Sequence, residues 1–236
     1  MIGNKNKIKI SSKKRVFIPT QTSQFLYKGI VKNINKMRNI SLVDMGCGNG
    51  IIGISLLKNL RNIKNIVFSD ISNDAISICK KNVKANKINV SRVDFLKSNV
   101  FSKFDNRKFD IIINDISGIS EKVAKISPWF KNIPCSSGID GTVLTLQFLK
   151  NYKSFLNKNG MVFFPIISLC NEKKIFNFLK RKKIKYKIVS EDIWPLPKEM
   201  KCYEKKLDNF KTKKIVSFYK KFNLIIANTK IVMIKN

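Results

Sequence analysis

The sequence contains no histidine. This absence excludes the commonest general base, a common metal ligand and every Ser-His or Cys-His nucleophile. Acidic residues are also scarce, since 15 Asp and Glu stand against 47 Lys and Arg in 236 residues. Any chemistry must therefore depend on carboxylates, amides, hydroxyls, backbone groups or a cofactor.

Cysteine is sparse and scattered. The five cysteines, at positions 47, 79, 135, 170 and 202, form no Cys-x-x-Cys pair, which argues against a disulfide framework and a zinc site. No apolar run approaches the roughly 20 residues needed to span a bilayer, and the N-terminus lacks the apolar stretch of a secretory signal. We therefore expect a cytoplasmic protein with no membrane association and no metal.

The formal net charge of +32 would attract polyanions. RNA or a ribosome-associated protein is the expected partner. However, only six of the 47 basic residues are Arg, and an excess of Lys, Asn and Ile is also typical of drift in an AT-rich genome. Both explanations of the positive charge, a function in binding and compositional drift, stay open. Nothing in the sequence indicates the oligomeric state.

The length favours a single domain, residues 1–236. Short apolar runs alternate with segments of helical period, which predicts an α/β, Rossmann-like fold with a mostly parallel seven-stranded sheet and helices on both faces. The predicted strands are Ile40–Met45, Asn65–Asp70, Asn89–Leu96, Phe109–Asn114 and Met161–Ile167, followed by Tyr186–Val189 and Leu224–Met233. The predicted helices are Ile51–Leu60, Ser72–Asn86, Thr142–Leu156, which should stop near Asn159-Gly160, and Glu172–Lys182.

Four regions are expected within this domain. Residues 1–39 are predicted to form an N-terminal hairpin and helix, residues 40–190 the cofactor-binding core, residues 191–222 an insertion and residues 223–236 the last strand. Within the insertion, Glu191–Lys213 carries Trp-Pro-Leu-Pro and a charge-rich stretch, which is typical of a surface segment.

The segment SLVDMGCGNGIIGI carries the strongest functional signal. Asp44 ends an apolar strand, and glycines then permit a tight turn before a helix start with unpaired N–H groups. Asp70 ends the next strand, where a carboxylate can accept both hydroxyls of a ribose. These features predict an adenosine-containing cofactor whose contacts are Asp44, Gly46, Cys47, Gly48, Asn49, Gly50, Asp70 and Ile71.

The stretch Gly48–Gly53 also satisfies the dinucleotide pattern G-x-G-x-x-G. An acid before the glycines would repel a pyrophosphate, whereas it suits the ammonium of a methionine moiety. S-adenosyl-L-methionine is therefore favoured over NAD. A purely structural strand-turn-helix is the third alternative.

This segment resembles motif I of class I methyltransferases. The stretch RVFIPTQTSQFL resembles the entry segment of release-factor glutamine methyltransferases and related small-domain nucleic-acid methyltransferases. KFDIIINDISGISE resembles the family's strand ending in Asn-Pro-Pro-Tyr, and SSGIDG resembles its Gly-Gly-x-Asp-Gly turn. The resemblance covers about Arg15 to Ile167. It implies an S-adenosylmethionine-dependent methyltransferase acting on RNA or on a protein of the translation machinery.

The resemblance also assigns residues. Asn99 and Val100 match the element that contacts the adenine, and Asn99 stands where the family has Asp. Asp94 is a rival for that role, although it lies inside a predicted strand. In an ungapped register the family's catalytic Asn falls on Asp115, whereas a rival register would place it at Asn114.

The reactive motif departs from the family, because Ile116, Ser117 and Gly118 replace Pro-Pro-Tyr. Asp115 could still accept from an amine and take the proton released on transfer. Trp129 and Phe130 follow in the next loop and could replace the missing aromatic ring. The alternative to an active enzyme is a cofactor-binding but catalytically weak scaffold that docks on RNA or a ribonucleoprotein.

Overall fold

A computed structural model describes residues 8–236. The strands are β1 (Ile40–Met45), β2 (Ile63–Asp70), β3 (Val93–Lys97), β4 (Phe109–Asn114), β5 (Leu156–Ile167), β6 (Tyr186–Pro195), β7 (Tyr219–Lys221) and β8 (Leu224–Lys235). The helices are α1 (Gln21–Ile34), α2 (Ile51–Asn59), α3 (Asn73–Ala85), α4 (Glu121–Ala124), α5 (Val143–Asn151), α6 (Glu172–Arg181) and α7 (Glu204–Thr212).

Seven strands form one sheet in the order β3-β2-β1-β4-β5-β8-β6. The first five run parallel, and β8 runs antiparallel to both β5 and β6. The short β7 pairs with β8 as an eighth strand. The predicted α/β fold with a mostly parallel sheet is confirmed.

Both faces of the sheet are covered by helices. Leu42 belongs to a core cluster built with α1, α2 and α3, whereas its neighbour Val43 belongs to a second cluster built with α5 and α6. β1 and β4 are nearly continuous apolar runs because both of their faces are buried. Their observed bounds match the predicted ones. No helix in the described part of the chain is long and apolar enough to span a membrane.

Several predicted elements differ in their bounds from the structure, most clearly β3 and α5. The first half of the predicted strand Asn89–Leu96 is a turn of 3₁₀ helix, because the Asn89 side chain accepts the N–H of Ser91 and caps it. The helix predicted over Thr142–Leu156 ends at Asn151, followed by a 3₁₀ turn. Asn159-Gly160 therefore lies within β5, where the pairing with β4 shifts register, and not at a helix end.

The predicted insertion is only partly a surface segment. β6 continues through Glu191 to Pro195, because it keeps its pairing with β8. Residues 196–222, which we call the cap, contain a 3₁₀ helix, α7 and β7. Leu196, Met200 and Leu207 of the cap are buried in a third apolar cluster that also includes Ile225 of β8. The cap therefore packs against the end of the sheet.

The predicted N-terminal helix is present as α1. The structure describes residues 8–39 of this region, and these residues form no hairpin. Residues 8–20, which we call the strap, pair instead with asparagine side chains of α3. The amide of Asn86 exchanges hydrogen bonds with the backbone of Lys9 (3.0 and 2.7 Å), and that of Asn82 does so with Ser11 (2.9 and 2.9 Å).

Candidate functional site

A cavity of about 1040 Å³ lies at the carboxyl ends of β1, β2 and β4. β1 is flanked by β2 on one side and β4 on the other, which makes this the point where the strand order reverses. Ligands of open α/β sheets bind in the crevice at such a point. The strap and the cap wall the cavity from outside the sheet, through Arg15–Phe17, Pro19 and Leu196–Lys198 among others.

The glycine loop after β1 is anchored to β2. The N–H groups of Gly46 and Cys47 both donate to the carbonyl of Ser69, at 2.8 and 3.0 Å. Gly46 has a φ of +74°, and a Cβ atom there would lie 2.9 Å from the backbone nitrogen of Ile116. Position 46 therefore requires glycine, because the loop here contacts the turn after β4, and this turn contains Asp115.

Asp44 is almost fully buried at the end of β1. Its Oδ2 accepts the N–H of Gly53 at 3.0 Å, whereas its Oδ1 has no partner. Burial, and then the negative charge of Asp115, raise the pKa of Asp44 to about 7. A buried carboxylate oxygen without a partner is costly, so the position suits a cationic group of a ligand.

Asp70 is held rigidly at the end of β2. Its Oδ2 accepts the N–H of Gly48 at 3.0 Å, and its Oδ1 accepts the N–H of Ser72 at 2.9 Å. Burial raises the pKa of Asp70, while hydrogen bonds from the N–H groups of Ser72, Gly48 and Ile71 oppose the rise. Each oxygen keeps a further lone pair, with which the carboxylate can accept from two ligand hydroxyls.

Beyond Asp70 the cavity is lined by Ile71, which is 63% exposed, and by the turn after β3. In this turn the N–H of Ser98 donates to the carbonyl of Asp70 at 3.0 Å. Asn99 is exposed and lines the cavity, whereas Val100 is buried in a left-handed conformation.

Asp94, the rival predicted for the adenine contact, does not line the cavity. Its side chain is exposed on β3 and forms an ion pair with Arg107. The structure therefore does not support this rival, because Asp94 lies near the start of β3, whereas the site is built at the carboxyl ends of the strands. Cys47, Gly48 and Asn49, in contrast, all line the cavity.

Asp115 lines the cavity directly after β4. Its Oδ2 accepts the hydroxyl of Ser23 at 3.0 Å, and its N–H donates to the carbonyl of Met45 at 2.9 Å. Burial raises the pKa of Asp115 to about 7, and the hydrogen bond from Ser23 opposes the rise. Asn114 is buried away from the cavity lining, and its Oδ1 accepts the N–H of Ile116 at 3.3 Å.

Aromatic side chains wall the side of the cavity beyond Asp115. Trp129 and Phe130 come from the 3₁₀ helix Pro128–Phe130, Trp194 comes from β6, and Phe17 comes from the strap. The sequence pattern did not indicate Ser23, Phe17 or Trp194. The tryptophan beside two prolines in Trp194–Pro197 was the one sequence signal that could have indicated that this segment belongs to the site.

The cavity is lined by more acidic than basic residues, unlike the protein as a whole. Of the described residues that line it, four are acidic and two are basic; these are Asp44, Asp70, Asp74, Asp115, Arg15 and Lys198. An acidic, largely apolar cavity favours a cationic ligand and disfavours a phosphate. The described residues form no cluster of three or more His, Cys, Asp or Glu that could hold a metal.

Residues 8–115 match the family model named "Methyltransferase small domain". A protein of Methanocaldococcus jannaschii named as an N5-glutamine methyltransferase is 29% identical over 173 residues, covering 73% of this chain and 83% of its own length. The release factor glutamine methyltransferase of Borreliella burgdorferi is 30% identical over 159 residues, covering 66% of this chain. This chain spans 54% of that relative's length.

Solved structures show the same fold. A 16S rRNA methyltransferase of T. thermophilus, in complex with AdoMet and guanosine, superposes with a TM-score of 0.57 at 12% identity over 93% of this chain and 44% of its own. The Mtq2–Trm112 complex of E. cuniculi, which methylates a translation termination factor, gives a TM-score of 0.54 at 11% identity over 94% of this chain and 99% of its own.

Proposed function

We propose that this chain is a class I S-adenosylmethionine-dependent methyltransferase that acts on RNA or a protein of the translation machinery, and that its acceptor is a protein side-chain amide. The relatives named as glutamine methyltransferases of release factors and of ribosomal protein uL3 support this acceptor. The observation that carries it is the carboxylate of Asp115, which faces an acidic cavity beside the cofactor loop.

The cofactor is held by the strand ends. Asp44 meets its ammonium group, and support comes from the unpaired, buried Oδ1 of this residue. Asp70 accepts both ribose hydroxyls with its remaining lone pairs. The open backbone around Gly48 faces the cofactor, since a Cβ there would meet only the carbonyl of Phe17, at 4.0 Å. The other predicted contacts that line the cavity are Gly46, Cys47, Asn49, Ile71, Asn99 and Val100. Gly50 does not line it, because it packs against Cys79 of α3.

When bound, the cofactor supplies a methyl group on a sulfonium centre, and the protein contributes positioning and exclusion of water. Asp115 accepts the N–H of the acceptor amide and takes the proton that the nitrogen loses on methylation. Ser23 orients this carboxylate through its hydroxyl. Asn114 holds the turn through the N–H of Ile116 and does not contact the acceptor.

RNA is the second candidate acceptor, because the net charge of +32 favours a polyanion. The charge of the cavity argues against this acceptor. A nucleotide entering it would bring its phosphate close to Asp115 and Asp44, with Arg15 and Lys198 as the basic groups among the described lining residues. The scaffold alternative is not favoured, because the relatives are named as enzymes.

The acceptor class is tested with tritiated S-adenosylmethionine. Purified release factors, ribosomal proteins, ribosomal RNA and transfer RNA are incubated separately with the protein, and labelled products are mapped by mass spectrometry. We expect a methyl group on a side-chain amide of one of the proteins and none on RNA. Label on a nucleobase would replace this proposal with the RNA candidate, and transfer to none of these substrates would favour the scaffold.

A further inference from the structure

The chain contains two tryptophans, and both line the cavity. Trp129 and Trp194 contact each other edge to face, with ring centroids 5.6 Å apart and planes at 75°. Phe130 follows Trp129 and contacts Phe17 of the strap, with centroids 5.1 Å apart. These four rings, which we call the aromatic row, connect β6 to the strap across the side of the cavity beyond Asp115.

The aromatic row is fixed in position from outside the cavity. Trp129, Phe130 and Trp194 pack against the apolar cluster that the cap forms with β8. The indole N–H of Trp194 donates to the buried hydroxyl of Thr229 at 2.9 Å. Because its donor is already used, Trp194 offers a ligand an apolar ring surface and no hydrogen bond.

All four rings remain only partly buried. Large aromatic surfaces that are held rigidly and left partly open in a cavity are typical of binding sites for flat groups. Trp194 is connected to Asp115 through Thr229, whose hydroxyl lies 3.5 Å from that of Thr22, and the next residue, Ser23, donates its hydroxyl to the Asp115 carboxylate. The site therefore combines a stacking surface with a carboxylate acceptor.

We propose that the aromatic row is the acceptor subsite, in which Trp129 and Trp194 bind the planar, uncharged face of the acceptor while Asp115 accepts its N–H. The substrate class is a neutral amide, because a charged carboxylate or phosphate would meet the acidic residues of the same cavity. This inference rests on the proposed function. In this proposal, residues of β6 and of the 3₁₀ helix Pro128–Phe130 select the acceptor. Both elements lie outside the motif at residues 115–118.

Tryptophan fluorescence tests the subsite without turnover, since both tryptophans lie in it. The protein is saturated with S-adenosylhomocysteine and titrated with N-acetyl-glutamine methylamide at millimolar concentrations. We expect a saturable change in emission with this probe and none with the matched glutamate compound or with guanosine monophosphate. Trp194→Leu should weaken the probe's binding, read from Trp129, by about three- to tenfold, the scale of a lost aromatic contact.

Phe222→Leu is the matched control, because Phe222 is 84% exposed in the turn before β8 and does not line the cavity. It should change neither the titration nor the affinity for S-adenosylmethionine. On the protein substrate, Trp194→Leu should raise KM more than it lowers kcat. If the protein still binds S-adenosylmethionine but its emission does not respond to the amide probe, the subsite proposal is wrong. This result stands whether or not the protein transfers methyl groups.

Discussion

Asp44, which is buried, and Asp115, which is partly buried, are two carboxyl groups at the ends of neighbouring strands. Both have a pKa of about 7, caused first by burial, and the charge of Asp115 is the second cause for Asp44. Neither group has a basic partner among its hydrogen bonds. In the free protein, Asp44 and Asp115 are therefore partly protonated near neutral pH. A bound cation would favour the ionised form of both groups.

This raised pKa predicts a pH-dependent stability. In the unfolded chain the pKa of an Asp is about 4, so between about pH 4 and 7 the folded state binds more protons than the unfolded state. Asp115 therefore stabilises the fold at low pH, and this contribution is lost as the pH rises through 7. We expect Asp115→Asn to gain of the order of 1–3 kcal/mol of unfolding free energy relative to the wild type between about pH 4 and 8.

Urea unfolding of both proteins without ligand, at several pH values in this range, measures the difference. Asp94→Asn is the control, because that carboxyl group is exposed and should show no such gain across the range. A difference between the wild type and Asp115→Asn that does not change with pH would show that Asp115 is ionised throughout.

Asp70 allows a direct test of the cofactor contacts. Each charge-assisted hydrogen bond contributes on the order of 1.5–3 kcal/mol, so Asp70→Ala should weaken binding of S-adenosylmethionine by roughly 10- to 150-fold. Isothermal calorimetry measures this, with Asp94→Ala as a control that should bind like the wild type. Unchanged affinity in Asp70→Ala, or tight NAD binding by the wild type, would remove the cofactor assignment.

The sequence predicted the site residues that lie at strand ends. Asp44 and Asp70 each end an apolar run, so local pattern indicates that they share one edge of the sheet, whereas Asp115 was assigned by the resemblance to the family. Ser23 and Trp194 could not be predicted in the same way. Their place at the cavity depends on how α1 and the end of β6 pack on the sheet, which leaves no periodic signal in the sequence.

At the level of elements, the strands buried on both faces were predicted best. β1 and β4 are short apolar runs bounded by polar residues, and their bounds are as predicted. The bounds of β3 and α5 were wrong, because a side-chain cap at Asn89 begins a 3₁₀ turn before β3, and α5 is followed by a 3₁₀ turn from Tyr152. The burial of the cap depends on Met200 and Leu207, which stand isolated among charged residues.

The strap depends on two asparagines that lie one helical turn apart, Asn82 in α3 and Asn86 at its C-terminal cap. Asn82 also donates to the carbonyl of Asn49 in the glycine loop at 2.9 Å, whereas Asn86 does not reach that loop. Asn82→Ala should therefore weaken S-adenosylmethionine binding as well as destabilise the strap, and Asn86→Ala should affect only the strap. We expect a loss of about 1–3 kcal/mol of stability in each variant.

Calorimetry and amide hydrogen exchange of the two variants separate these effects. Exchange should accelerate at Lys9 in Asn86→Ala and at Ser11 in Asn82→Ala, since each loses its backbone partner. Equal cofactor affinities in the two variants would show that the glycine loop does not depend on the strap.

The whole molecule is strongly basic outside and acidic within its cavity. The cap contributes to the basic surface, with nine lysines against three acidic residues in residues 198–221. If this charge serves binding to ribonucleoprotein, affinity for ribosomes should fall by roughly a thousandfold or more between about 50 and 200 mM salt, for about six neutralised phosphates. A flat response in a sedimentation series would assign the charge to compositional drift.

We propose that Asp115 serves the methyl acceptor beside a cofactor held by Asp44 and Asp70. Single-turnover transfer of a tritiated methyl group, with the acceptor protein identified above, tests it in the wild type, Asp115→Ala and Asp115→Asn. Asp115→Ala should lose about 10²-fold or more in rate while S-adenosylmethionine affinity stays within a few-fold. Asp115→Asn should recover rate if the residue mainly orients the amide, and should stay slow if it takes the proton. Rates equal to the wild type in both variants would contradict the claim.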